Sequence, residues 1–192
     1  VQYGVNLRHW GAGLPNDPGF DAMVYDQEAL LKPFDVVFVG QAYEGRPRFL
    51  QGLRDRGIEV RVFGQGFPDG LLDEGQMRKT LSMAKIVLGL NWCAGGLHAG
   101  SGPQVKGRLF EMAALGAFQL VSDDPRLGDY FQPGEIATFK DLDDCAAKIR
   151  HFLAHPAERL GIAARGQARA RRDHGWERRW EGFFAPLEVS HA

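Results

Sequence analysis

The sequence predicts an α/β fold: a Rossmann-like parallel sheet with helices on both faces. Short apolar runs rich in β-branched residues alternate with longer segments of helical period, the signature of βαβ units. Two of the runs, Lys85 to Leu90 (KIVLGL) and Phe118 to Ser122 (FQLVS), are apolar nearly throughout, as strands covered on both faces must be. Glycine-rich segments follow the first three runs, which is where an open parallel sheet binds its ligands.

Residues 1–34 carry Gly11, Gly13, Pro15, Pro18 and Gly19 close together without a period, and are expected to form an irregular extension and connector. The expected domain spans 35–184, and 185–192 is a tail. Besides the two central runs, strands are expected at Asp35 to Val39 (DVVFV), Ile58 to Phe63 (IEVRVF) and Glu135 to Phe139 (EIATF). Asp73 with Gln76 approximates a capping box ahead of Met77, Leu81 and Ala84. Asp124 before Pro125 reads as an N-cap with proline at the first helical position, sending Leu127, Tyr130 and Phe131 to the core. Asp141 caps a helix striped by Leu142, Cys145, Ile149 and Phe152; His155-Pro156 breaks it, and an Ala/Arg helix continues to about Arg172.

Composition excludes several classes. Of 192 residues, 44% are hydrophobic and 24% charged, as in an ordinary water-soluble globular chain. A formal net charge of -1 gives no global field toward nucleic acid or anionic lipid. Cys93 and Cys145 are too few for a disulfide framework or a zinc site, so free thiols in a cytoplasmic setting are expected. No stretch approaches the roughly 18 apolar residues of a membrane span, and no metal site or cofactor is implied. The sequence has no Walker A, G-x-S-x-G or H-E-x-x-H motif, which removes common hydrolase and protease readings.

Chemistry is therefore sought in the loops after the strands: Gly40-Gln41-Ala42, Gly64-Gln65-Gly66-Phe67, and the stretch from Asn91 to Gly107. A single such loop is ordinarily just a turn; three converging on one sheet edge form a candidate site, with Gly40, Gly64, Gln65 and Asn91 among its members. The third loop runs into a helix from Gly107 to Leu115 that Gly116 closes. Unpaired N–H groups at that helix start, with Lys106 and Arg108 beside them, create a field that suits a diphosphate. Glu111, three residues after Arg108, either accepts from vicinal ribose hydroxyls or pairs with the arginine to steady the helix start. His98 reads as an isolated loop residue and His174 as a packing anchor. One of Asp123 and Asp124 caps a helix, so no acid/base pair is expected there. Gly64 to Asp69 imitates a dinucleotide fingerprint, but its third glycine falls late and a proline intervenes. Arg165, Arg169 and Arg172 share a helical face and read as a solvated surface.

Lys106 to Gly116 (KGRLFEMAALG), followed by Ala117 to Val121, resembles glycosyltransferases of the GT-B class. Its nearest likeness is to the glycosyltransferase family 1 and spore-maturation (CgeB-like) group, in which an R-x-F-E-x-x-A-x-G segment lines the donor site. Further segments follow in that group's order: FDVVFVG from Phe34, VRVFG from Val60, DYFQPGE from Asp129, LAHPAER from Leu153 and HGWER from His174; YGVNLRHW from Tyr3 resembles its connector. The resemblance implies a metal-independent hexosyltransferase of two facing Rossmann-like domains. This chain would be the C-terminal one, which binds a UDP- or GDP-sugar for transfer to an acceptor on the missing N-terminal domain. Lys106 and Arg108 would then be catalytic, facing the diphosphate, with Glu111 on the ribose, Gly64 and Gln65 near the base, and Gly40, Asn91 and Gly107 completing the donor site. One departure stands out: where many relatives place a second glutamate eight positions before the ribose one, this chain has Pro103. That departure motivates an alternative, a non-catalytic nucleotide or sugar-binding module. A flavodoxin-like interaction domain acting through the arginine helix is another.

Overall fold

The computed structural model describes residues 32–43, 45–91 and 105–175. The expectations for most of the 1–34 connector, for Cys93, His98 and Pro103, and for the 185–192 tail lie outside the described residues.

Five parallel strands form one sheet: β1 (Phe34–Val39), β2 (Arg61–Phe63), β3 (Ala84–Gly89), β4 (Gln119–Ser122) and β5 (Ala137–Phe139), in the order β2-β1-β3-β4-β5. The register sets Phe38 beside Val62 and Leu88, and Leu88 beside Leu120. Helices α1 (Arg46–Arg54), α2 (Glu74–Ser82), α3 (Gly107–Ala114), α4 (Leu142–Ala154) and α5 (Pro156–Asp173) complete the described fold.

Strand alternation divides the core into two layers. Val36, Phe38, Ile86, Leu88 and Leu120 pack with Leu50 and Leu53 of α1 and Ile149 of α4. On the opposite face Val37, Val87 and Val121 pack with Leu81 of α2, with Leu109 and Phe110 of α3, and with Ala170 of α5. Each fully buried side chain of this size contributes about 1.5–3 kcal/mol by leaving water. The expected α/β sheet with helices on both faces is the fold observed.

Several local signals act as the sequence suggests. Asp73 and Gln76 form a complete capping box, and Asp141 accepts from the Asp144 amide. Ala84 belongs to β3 rather than to the helix before it. Asp124 does act as a cap, accepting from the Arg126 amide at 3.0 Å, but the segment it heads is a single 3-10 turn, Pro125–Asp129. Gly128 is a poor helix former and Pro133 stands close downstream, so the turn does not propagate. Leu127 and Phe131 are buried nonetheless. The expected runs at Ile58 and Glu135 shorten to β2 and β5. α1 opens without a capping side chain, Gly45 standing at its N-cap, so Pro47 in its first turn is the start signal the sequence offers.

The C-terminal helix is lashed to the sheet edge. His174 lies against Phe110 and Phe131, and its Nε2 is 2.8 Å from the Tyr130 carbonyl, so it is the expected packing anchor. Arg169 departs from the expected solvated row: it donates to the Tyr130 carbonyl at 3.0 Å and pairs with Glu135 and Asp173. Arg165 donates to the Gly134 carbonyl, while Arg172 stays exposed beside Asp173. Buried Arg159 donates to the Phe152 carbonyl and closes the end of α4 across the His155-Pro156 break. Burial pushes the free Cys145 thiol up to about 12, so it remains protonated at neutral pH.

Hydrogen bonds from the Arg126 side chain hold the Asp124 carboxyl below its ordinary range, the backbone bond and charge of Arg126 adding to this against the opposing effect of burial. A depressed carboxyl stabilises the fold above its unfolded pKa of about 3.9 and loses that stabilisation as acid protonates it. Asp124→Asn should therefore melt below the parent at pH 7, and the gap should narrow as pH falls below about 4, read by thermal denaturation across that range.

Candidate functional site

The connections set where a site can form. β1 leads through α1 to β2 on one side, whereas the chain after β3 moves through α3 to β4 on the other. α1 packs on one face and α3 on the opposite face, which sets a crevice at the carboxyl edge between β1 and β3.

A cleft of about 270 Å³ occupies that crevice. Gly40, Asn91, Lys106 and Arg108, all expected from the sequence, line it together with Gln41, Tyr43, Arg46 and Met112. Gly107 is the first residue of α3. Lys106 is its N-cap with extended backbone and, among the described residues, no side-chain hydrogen bond caps the helix start. The Leu109 amide donates to the Lys106 carbonyl at 3.0 Å, and the positive end of the α3 dipole, with two cationic residues in the same wall, favours an anion there.

The Arg108 guanidinium reaches back to α2, with Nη1 2.8 Å from the Met77 sulfur. Its Nε stands 4.0 Å from the Glu111 carboxylate, at the limit of an ion pair between two half-exposed groups. Glu111 is one turn into α3 and does not line the cleft. Asn91 is buried: its amide donates to Ser122 Oγ at 2.9 Å, and its Nδ2 to the Ser122 carbonyl at 3.4 Å.

Gly64 and Gln65 do not line the cleft but shape its wall from behind. The Gly40 amide donates to the Phe63 carbonyl and the Ala42 amide to the Gln65 carbonyl, each at 2.9 Å. Gly64 has φ +129°, and a Cβ there would collide with the Gly40 carbonyl. Glycine at 64 is thus what lets the two loops lie backbone to backbone.

Arg46 is the lining residue that sequence reasoning missed. It is 4% exposed, and its side chain bridges the two loop systems. Its signal was a basic residue just before Pro47, directly behind the first glycine loop. Among the described residues, no group of three His, Cys, Asp or Glu is placed to hold a metal ion, and no helix is long and apolar enough to cross a membrane.

Residues 46–185, well over half of the sequence, match the family described as glycosyl transferase-like. The chain belongs to that family. Comparison with the curated proteins finds no match. Among solved structures, the glycosyl transferase-like chain resembles Anabaena HepE in complex with UDP, with a TM-score of 0.67 at 11% identity over 97% of this chain and 56% of that one. Sucrose-phosphate synthase from Thermosynechococcus elongatus gives 0.68 at 15% identity over 99% and 52%. A glycosyltransferase from Rickettsia africae gives 0.69 at 8% identity over 100% and 57%. The glycosyl transferase-like chain thus shares their fold and spans little more than half of each.

Gly64→Ala should lower the urea midpoint by the equivalent of about 1–3 kcal/mol, the usual cost of a residue forced into an unsuitable backbone region. A midpoint equal to the parent's would mean that the contact between the two loops is loose.

Proposed function

We propose that this chain is the C-terminal, donor-binding domain of a two-domain GT-B glycosyltransferase of hexosyltransferase type, from the spore-maturation (CgeB-like) group. The observation that carries the reading is the cleft between β1 and β3, where the start of α3 meets Lys106 and Arg108. In that reading residues 35–184 are the domain, 1–34 the connector and 185–192 a tail. The acceptor binds on an N-terminal domain of the same polypeptide. The span of little more than half of its structural neighbours agrees with this division.

The donor is a nucleoside diphosphate sugar, such as a UDP- or GDP-sugar. Complexes of HepE with UDP and UDP-glucose support that chemistry. A cleft of about 270 Å³ is slightly below the roughly 300–1,000 Å³ of ordinary ligand sites. It suits the diphosphate, with the ribose at its margin toward Glu111 and the sugar left to the facing domain. As the glycosidic bond to the diphosphate breaks, negative charge grows on the leaving oxygen. The α3 amides, Lys106 and Arg108 stabilise it without a metal, in a field already oriented. Glu111 accepts from the ribose hydroxyls, and the Gly64-Gln65 loop lies near the base. Transfer takes place in the cytoplasm.

A calorimetric and NMR titration with nucleoside diphosphates tests this. UDP or GDP at a hundredfold excess over Kd should stabilise the domain by about 2.7 kcal/mol, visible as several degrees in Tm. Arg108→Ala and Glu111→Ala should each bind about tenfold more weakly with the fold intact. Unchanged melting and unchanged amide shifts across the whole nucleotide panel would defeat the donor-site reading.

A further inference from the structure

Arg46 is the first residue of α1 and reaches away from it into the floor of the cleft. Its Nη1 donates to the Gln41 carbonyl at 3.0 Å and its Nη2 to the Leu90 carbonyl at 2.9 Å. The guanidinium lies over the rings of Tyr43 and Phe38, 4.9 and 5.6 Å from their centroids, which sets its plane.

Each carbonyl belongs to a peptide unit whose other side is also held. The Gln41–Ala42 unit donates its N–H to the Gln65 carbonyl, and the Leu90–Asn91 unit donates its N–H to Ser122 Oγ, each at 2.9 Å. Arg46 therefore completes the orientation of two peptide dipoles, one in the loop after β1 and one after β3. These are the two walls of the cleft. The negative ends of both dipoles face a buried cation. Without the guanidinium both carbonyls would lose their buried donor, and the side-chain link between the two walls would be gone. A rigid two-pronged donor suits the task better than a single ammonium, because both carbonyls must be held at once.

We propose that Arg46 is a positioning residue that ties the loop after β1 to the chain leaving β3 and so fixes the spacing of the two cleft walls between which a phosphate group binds. The ligand half of this inference rests on the donor-site reading, whereas the brace itself does not.

The test uses the whole chain, with Arg46→Lys and Arg46→Met. Amide hydrogen exchange without ligand should quicken at Ala42 and Asn91 in both variants, by about tenfold or more, while Val87, bonded to the Phe118 carbonyl within the sheet, keeps its parent rate. In titrations, UDP and inorganic pyrophosphate should bind about tenfold more weakly to Arg46→Met, with Arg46→Lys between it and the parent. Uridine alone should stay within about twofold of the parent, since it carries no phosphate to be held between the two walls. Equal losses for uridine and pyrophosphate would reduce Arg46 to a general structural role, and unchanged pyrophosphate binding in a folded variant would overturn the proposal outright. If Arg46→Met fails to fold, Arg46→Lys carries the same comparison. If the parent binds neither UDP nor pyrophosphate, the donor reading falls, and unaltered exchange at Ala42 and Asn91 would then sink the brace as well.

Discussion

Strand order reverses between β1 and β3, and the cleft follows from that reversal. Parallel strands joined by right-handed crossovers must place their connecting helices on opposite faces when the chain changes direction across the sheet. Here α1 takes one face while α2 and α3 take the other. α1 and α3 leave a gap at the carboxyl edge between β1 and β3. Side chains at the edge then decide what the gap can hold. Gly40 and Gly64 let the backbones of the near wall approach closely, and the start of α3 turns the positive end of its dipole to the far wall.

Much of this was legible in residues. Continuous apolar runs at β3 and β4 announced strands covered on both sides, and the carboxylates of Asp73 and Asp141 marked helix starts that the structure reproduces. A glycine-and-cation run into a helix pointed to the Lys106–Arg108 wall. What escaped notice had only a weak local signature. α1 begins at a glycine without a capping side chain. Arg46 reads as one more surface arginine until its partner at Leu90, 44 residues away, is brought beside it. Arg169 likewise sits in a charged run and becomes internal only when Tyr130 and Glu135 fold against it. Long-range partners of polar groups are set by the tertiary fold, and no period in the sequence encodes them.

The cleft combines two kinds of cation. Lys106 and Arg108 sit at the lip, with Arg108 partly exposed, and they supply field. Arg46 is buried and spends both of its terminal nitrogens on backbone carbonyls, so it supplies shape. The distinction is physical: a solvated cation is screened and adaptable, whereas one buried against two carbonyls is fixed and costly to disturb.

The course of α5 affects the far margin of the sheet. Ile162 and Ala163 belong to one core layer and Ala170 to the other, so a single helix passes around the outer strand and joins both. Gly166 lets it run backbone against backbone past Glu135, just before β5. One continuous helix thus fastens the two layers to each other at the rim, so that neither can peel from the sheet without dragging its counterpart along.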